Sequence, residues 1–172
     1  MGVTPDRILA ADIDESPLPS ETPRLLAARL ARAKAQAARE RESGGFILAA
    51  DTVVAVGRRV LPKAETEDEA RRCLALLSGR AHRVLTGVCV LAPDGRAAQR
   101  LSESRVHFKR LAKAEVTAYI AADEWRGKAG GYAIQGLAGA FVCALQGSYS
   151  GVVGLPLYET RCLLDGLGYR AG

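Results

Sequence analysis

Phe46-Ile47-Leu48-Ala49-Ala50-Asp51-Thr52-Val53-Val54-Ala55-Val56 is the stretch whose reading decides the fold. It is a short, near-continuous apolar run with a β-branched second half, which reads as a strand covered on both faces. One residue breaks the pattern. Asp51 places a carboxylate between Ala50 and Thr52-Val53-Val54, and a buried carboxylate is costly unless it meets a cation or a metal. Two readings stay open at this point: an acid with a chemical task, or one that caps a strand end or pairs with an arginine.

Upstream, Thr22 is placed to cap a helix, Pro23 suits its first turn and Gly44-Gly45 ends it. The expected apolar stripe is Leu26, Leu30, Ala33 and Ala37, with Lys34 on or beside it. Such a lysine either snorkels to solvent or reaches into a site. Downstream, Gly57-Arg58-Arg59 turns the chain toward Val60-Leu61, and Thr66-Glu67-Asp68-Glu69 is a capping box opening a helix through Ala70, Cys73, Leu74 and Leu77. Ser78-Gly79 stops that helix.

Strands are expected over 84–91 and 97–108, joined by a turn at Pro93-Asp94-Gly95. The second mixes Arg100, Ser102 and Ser104 with Leu101, Glu103 and Arg105, which suggests an exposed hairpin arm. A helix over 113–122, a glycine-rich loop over 127–139, a strand over 140–145 and a closing helix over 156–167 complete the reading. Interleaved strands and helices give an α/β fold: a mixed central sheet flanked by helices. With 172 residues the chain is expected to form a single domain, 1–172.

Composition narrows the function classes. The net charge is +5, but the basic residues are dispersed, which argues against nucleic acid as a partner and suits a pocket for a small anion. Lysine is scarce, only 34, 63, 109, 113 and 128, so each one is informative. No apolar run approaches the ~20 residues of a membrane span. The first fifteen residues carry Asp6, Asp12, Asp14 and Glu15 and no signal-peptide core, so no membrane association and a cytoplasmic location are expected. Cys73, Cys89, Cys143 and Cys162 form no CxxC pair and read mainly as reduced core thiols. His82 and His107 have no spacing that suggests a metal site or a triad.

Taken singly, Lys63 reads as a loop lysine, Glu15 as the end of a solvated acidic run, and Gln135 as an amide that either meets a nucleobase edge or bridges backbone. Together they hold carboxylates able to carry a divalent cation, lysines able to neutralise phosphates, and a glycine-rich segment. Phosphoanhydride hydrolysis needs that set: charge neutralisation, a metal and an activated water. Neither a Walker A lysine motif nor a GxGxxG is present, so a P-loop or Rossmann cofactor site is unsupported.

The same residues carry a family resemblance. Asp12-Ile13-Asp14-Glu15, Arg29-Leu30-Ala31-Arg32-Ala33-Lys34-Ala35, Ala50-Asp51-Thr52-Val53-Val54, Leu61-Pro62-Lys63 and Leu77-Ser78-Gly79-Arg80-Ala81-His82 follow one another in the order seen in the Maf-like nucleoside triphosphate pyrophosphatases. Thr86-Gly87-Val88, Lys128 through Gly136, Gly147-Ser148-Tyr149-Ser150 and Val152-Val153-Gly154-Leu155-Pro156 continue the series. The resemblance implies two lobes around a cleft, a homodimer, and metal-dependent cleavage, with Mg or Mn, between the α- and β-phosphates. By match, Asp51 activates water, Glu15 and Asp51 hold the cation, and Lys34 and Lys63 bind and polarise the triphosphate. Thr52 and Gln135 match the subgroup that resembles dTTP and UTP hydrolases, which implies removal of non-standard pyrimidine nucleotides and a link to cell-division arrest.

Three departures accompany the match. The family's opening strand and Ser-x-Ser-x-Arg-Arg loop have no counterpart after Met1, which is expected to leave the chain as written unstable and nearly inactive. The usual Gly-Lys-Pro is Pro62-Lys63-Ala64, and an Asn before Val-Val-Gly is Gly151. A rival reading, favoured by the first departure, is a catalytically silent nucleotide binder or a division-regulating interaction protein.

Overall fold

The computed structural model describes residues 1–170. In chain order the elements are α1 (Pro23–Arg41), β1 (Ile47–Val56), β2 (Arg59–Leu61), α2 (Glu67–Leu77), β3 (Ala81–Leu91), β4 (Ala97–Phe108), α3 (Lys113–Ala121), a 3-10 turn (Leu137–Phe141), β5 (Val142–Gln146), α4 (Tyr149–Val153) and α5 (Leu157–Gly166). The strands form one sheet in the order β2-β1-β3-β4-β5. The α/β class and the flanking helices are as expected. The sheet itself is not mixed among the described residues: every strand pairing there is antiparallel. Tight turns join β1 to β2 and β3 to β4, and a parallel neighbour would need a crossover of about a dozen residues instead.

Helix α1 starts where its sequence says, with Thr22 accepting from the Leu25 amide and Pro23 in the first turn. Its buried seam differs from the expected stripe. Leu26 and Leu30 are buried, but Ala27, Ala31 and Ala35 complete the contact, whereas Ala33 and Ala37 are only half-buried. The cause is Gly87 at the centre of β3. A Cβ there would lie 2.3 Å from the Ala27 carbonyl oxygen, so the helix backbone rests directly on the sheet. Gly87 pairs with Asp51 on β1, so the closest helix–sheet approach falls beside that carboxylate.

The opposite face of the sheet carries two apolar clusters. Val84, Val106, Phe108, Leu74, Leu77 and Tyr119 pack at one end, and Val88, Val90, Leu163 and Leu164 at the other. Between them Thr52, Thr86 and Ser102 stand side by side across three strands. Helix α4 covers this row. β4 is therefore an interior strand and no exposed arm, with Ser102 and Ser104 buried. Its hydroxyls are tolerated inside because Ser104 Oγ accepts from the Ser148 amide at 3.0 Å, within a loop that brings backbone polar groups to the sheet. Cys73 and Cys89 are buried as expected, but Cys143 and Cys162 are exposed, on β5 and the outer side of α5. Residues 134–136 form a turn inside the segment expected to be a glycine-rich loop.

Candidate active site

N-terminal to Val54, β1 has no β2 partner, so residues 47–53 pair only with β3 among the described residues. Both faces of β1 open there onto a cleft of about 250 Å³ whose lining includes Lys34, Asp51, Thr52, Lys63, Lys128 and Gln135. An adjoining groove of about 470 Å³ adds Glu15.

Asp51 points toward α1. Its carboxylate is 4% exposed and accepts from Lys34 Nζ at 2.5 Å through Oδ1. Lys34 Nζ also meets Glu15 Oε1 at 2.6 Å, and the other Glu15 oxygen accepts from Lys63 Nζ. The result is an alternating chain, Asp51–Lys34–Glu15–Lys63, from the sheet interior to solvent. The groups respond differently. Burial holds Asp51 above the usual carboxylate range, and the Lys34 hydrogen bond only partly offsets it. Burial also works against the Lys34 charge, but Asp51 and Glu15 outweigh it and its value rises. Glu15, opposed by burial, is held below its ordinary value by the two lysines. Asp51 is thus a stronger base than an ordinary carboxylate, and Lys34 stays protonated beside it.

Backbone contacts fix the outer members. Ile13 packs on the Leu26–Leu30 cluster, and Arg29 donates to the Ser16 carbonyl at 2.9 Å, which seats Glu15 over α1. The Lys63 loop is bound to the glycine-rich segment: Ala64 N donates to the Lys128 carbonyl, Gly130 N to Pro62 and Gly127 N to Ala64. Gly130 is indispensable in that contact. Its φ is +68°, and a Cβ would lie 2.8 Å from Val54 Cγ1. Gln135 is exposed at the opposite rim, preceding a turn held by the Glu124 carboxylate, which accepts from the Leu137 amide at 2.7 Å.

All six residues singled out in the sequence therefore border this cleft and groove, with four in one ionic chain. Lys128, exposed on the same wall, was given no role in the sequence reading; the scarcity of lysine was the available signal. Thr86, behind Thr52, lay in a stretch that matched the family pattern but was given no role. Among the described residues no three His, Cys, Asp or Glu side chains gather as a metal cluster, so the donors open to a cation here are the two carboxylates. Two hard oxygens fit Mg or Mn, which commonly take one or two carboxylates and complete their shell with phosphate oxygens and water.

The Maf-like protein family matches residues 1–167. A dTTP/UTP pyrophosphatase of Caulobacter vibrioides is 66% identical over 170 residues, covering 99% of this chain and 88% of the relative. Proteins of the same name from Mesorhizobium japonicum and Rhodopseudomonas palustris are 61% and 58% identical, each over 98% of this chain and 84% of theirs.

Proposed function

The chain belongs to the Maf-like family, and from that premise we propose that it is a hydrolase that cleaves dTTP and UTP to the nucleoside monophosphate and pyrophosphate. The observation that carries the reading is the Asp51–Lys34–Glu15–Lys63 chain bordering the cleft that also holds Thr52 and Gln135. The name shared by its relatives supplies the substrates.

Asp51 takes a proton from water. The water oxygen bonds to the α-phosphorus, and the α–β bridging oxygen leaves with pyrophosphate. Lys34 keeps the buried carboxylate ionised until the transfer, while Lys63 and Lys128 lie where triphosphate charge must be neutralised. Glu15 and Asp51 would hold a Mg or Mn ion, which when bound neutralises phosphate charge and lowers the pKa of a bound water. Thr52 and Gln135 face the base. Modified pyrimidine triphosphates fit the same contacts.

A homodimer is the assembly proposed. Tyr149, Leu157 and Tyr158, exposed apolar side chains close together in sequence across α4 and the start of α5, support it. Since the substrates are nucleoside triphosphates, the place of action is the cytoplasm. Among the described residues no helix is long and apolar enough to cross a membrane.

Product analysis tests the reading. Incubated with dTTP or UTP and Mg or Mn, the protein is expected to release monophosphate and pyrophosphate in equal amounts. Orthophosphate with the diphosphate, or no hydrolysis of either nucleotide, would overturn it; the second outcome would favour the silent-binder reading.

A further inference from the structure

Thr52 Oγ1 lies 2.9 Å from Thr86 Oγ1, and Thr86 Oγ1 lies 2.7 Å from the carbonyl oxygen of Gly151. Two oxygens approach this closely only with a hydrogen between them. A carbonyl has none to give, so the single Thr86 proton lies toward Gly151. The hydrogen between the two hydroxyls must then come from Thr52. Thr86 is 1% exposed, so no water competes for this arrangement. Backbone holds its far end: Gly151 N donates to Ser148 Oγ at 3.0 Å, and Gly151 lies close against the hydroxyl row, where a Cβ would lie 3.1 Å from Ser148 Cβ and 3.2 Å from Ser102 Oγ.

With its proton committed inward, the Thr52 hydroxyl offers the cleft lone pairs only. The pairing edge of thymine or uracil presents an acceptor, a donor and an acceptor, O4, N3–H and O2. An acceptor can meet only the N3–H. We infer that Thr86 is a positioning residue for base selection: it holds Thr52 as an acceptor for N3–H, which makes N3 protonation the feature that favours thymine and uracil over cytosine, whose N3 is itself an acceptor. Gln135, whose amide both donates and accepts, is left to meet a carbonyl. This rests on the proposed dTTP and UTP activity.

Two measurements test it, and the first needs no variant. Wild-type protein is expected to use 3-methyl-UTP, which lacks the N3 hydrogen, with kcat/KM at least about tenfold below UTP. The second compares UTP with CTP. Thr86→Val removes the acceptor and frees the Thr52 proton to turn outward, so the UTP-to-CTP ratio of kcat/KM should fall by about tenfold. Thr86→Ser keeps the hydroxyl and should restore the ratio, with thermal melting confirming that both variants are folded. Equal use of 3-methyl-UTP and UTP, or an unchanged ratio in folded Thr86→Val, would overturn the inference while leaving the hydrolase reading intact. No turnover of UTP or dTTP by the wild type would overturn both.

Discussion

Asp51 and His82 are both buried ionisable side chains on the sheet, each with one close polar partner, and they behave in opposite ways. Asp51 accepts from a charged lysine at 2.5 Å, and that lysine connects through Glu15 to a solvent-facing Lys63. His82 Nε2 lies 2.8 Å from the Tyr132 hydroxyl, and its ring packs edge-on against Phe108 and Tyr132, with ring centroids 5.1 and 5.4 Å away. Burial pushes His82 down to about 4, so it is neutral near pH 7, and burial pushes the Tyr132 hydroxyl up. A buried group kept charged by a relay to solvent is equipped to move a proton. A buried group kept neutral among aromatic rings contributes packing and one hydrogen bond. The difference lies in the counter-charge, since both are equally hidden.

The largest expected effect on that contrast is at Asp51. Asp51→Asn keeps the shape and removes the proton acceptor, and kcat for dTTP should fall by about 10²–10⁴-fold while the melting temperature stays near wild type. Wild-type kcat in the variant would make Asp51 structural. Lys34→Met is expected to act on both quantities. It leaves Asp51 buried without its cation, a loss toward the lower end of about 3–5 kcal/mol because the site is open on one side. Denaturant unfolding measures it, and an unchanged midpoint would show that the pair contributes little.

His82→Phe should do the reverse. Turnover should stay within a few-fold of wild type, while stability falls by about 1–3 kcal/mol because the Tyr132 hydroxyl is left unpaired. A deeper loss of kcat would mean that His82 supports the cleft through Tyr132, which lines it. A further effect is on pH dependence. The folded-state value of His82 lies below the unfolded 6.5, so the unfolded chain binds more protons between pH 6.5 and about 4. Its contribution is complete above pH 6.5 and is lost as pH falls through that window, up to about 3 kcal/mol. In His82→Phe this part of the acid sensitivity should disappear; an identical pH–stability curve would contradict the assignment.

The charged half of the contrast was legible in the sequence because charge in an apolar stretch is conspicuous. Asp51 interrupts a strand, and Lys34 follows Leu30 by four residues in a lysine-poor chain. Glu15 and Lys63 were ordinary as single residues, and their order along a known family pattern gave them roles. The neutral half was not legible. His82 has no sequence partner at a telling spacing, because Tyr132 reaches it from 50 residues away. Ser102 and Ser104 looked like an exposed arm because hydroxyls in a strand do not announce the cover they lie under. That cover is α4, five residues long and containing Gly151, too short for any helical period to register. The α1 seam was only half placed, with Leu26 and Leu30 right but Ala33 and Ala37 expected in place of Ala27, Ala31 and Ala35, for a related reason: Gly87 admits the helix backbone itself, so alanines replace a broader apolar stripe.

The pH profile of kcat/KM for dTTP tests most directly whether Asp51 is the proton acceptor. The wild type should lose activity on the acid side as the Asp51 carboxylate takes up a proton and can no longer accept one from water. The residual activity of Asp51→Asn should run flat through the same range. A variant that keeps the wild-type limb would show that another group titrates there and that Asp51 does not take the proton.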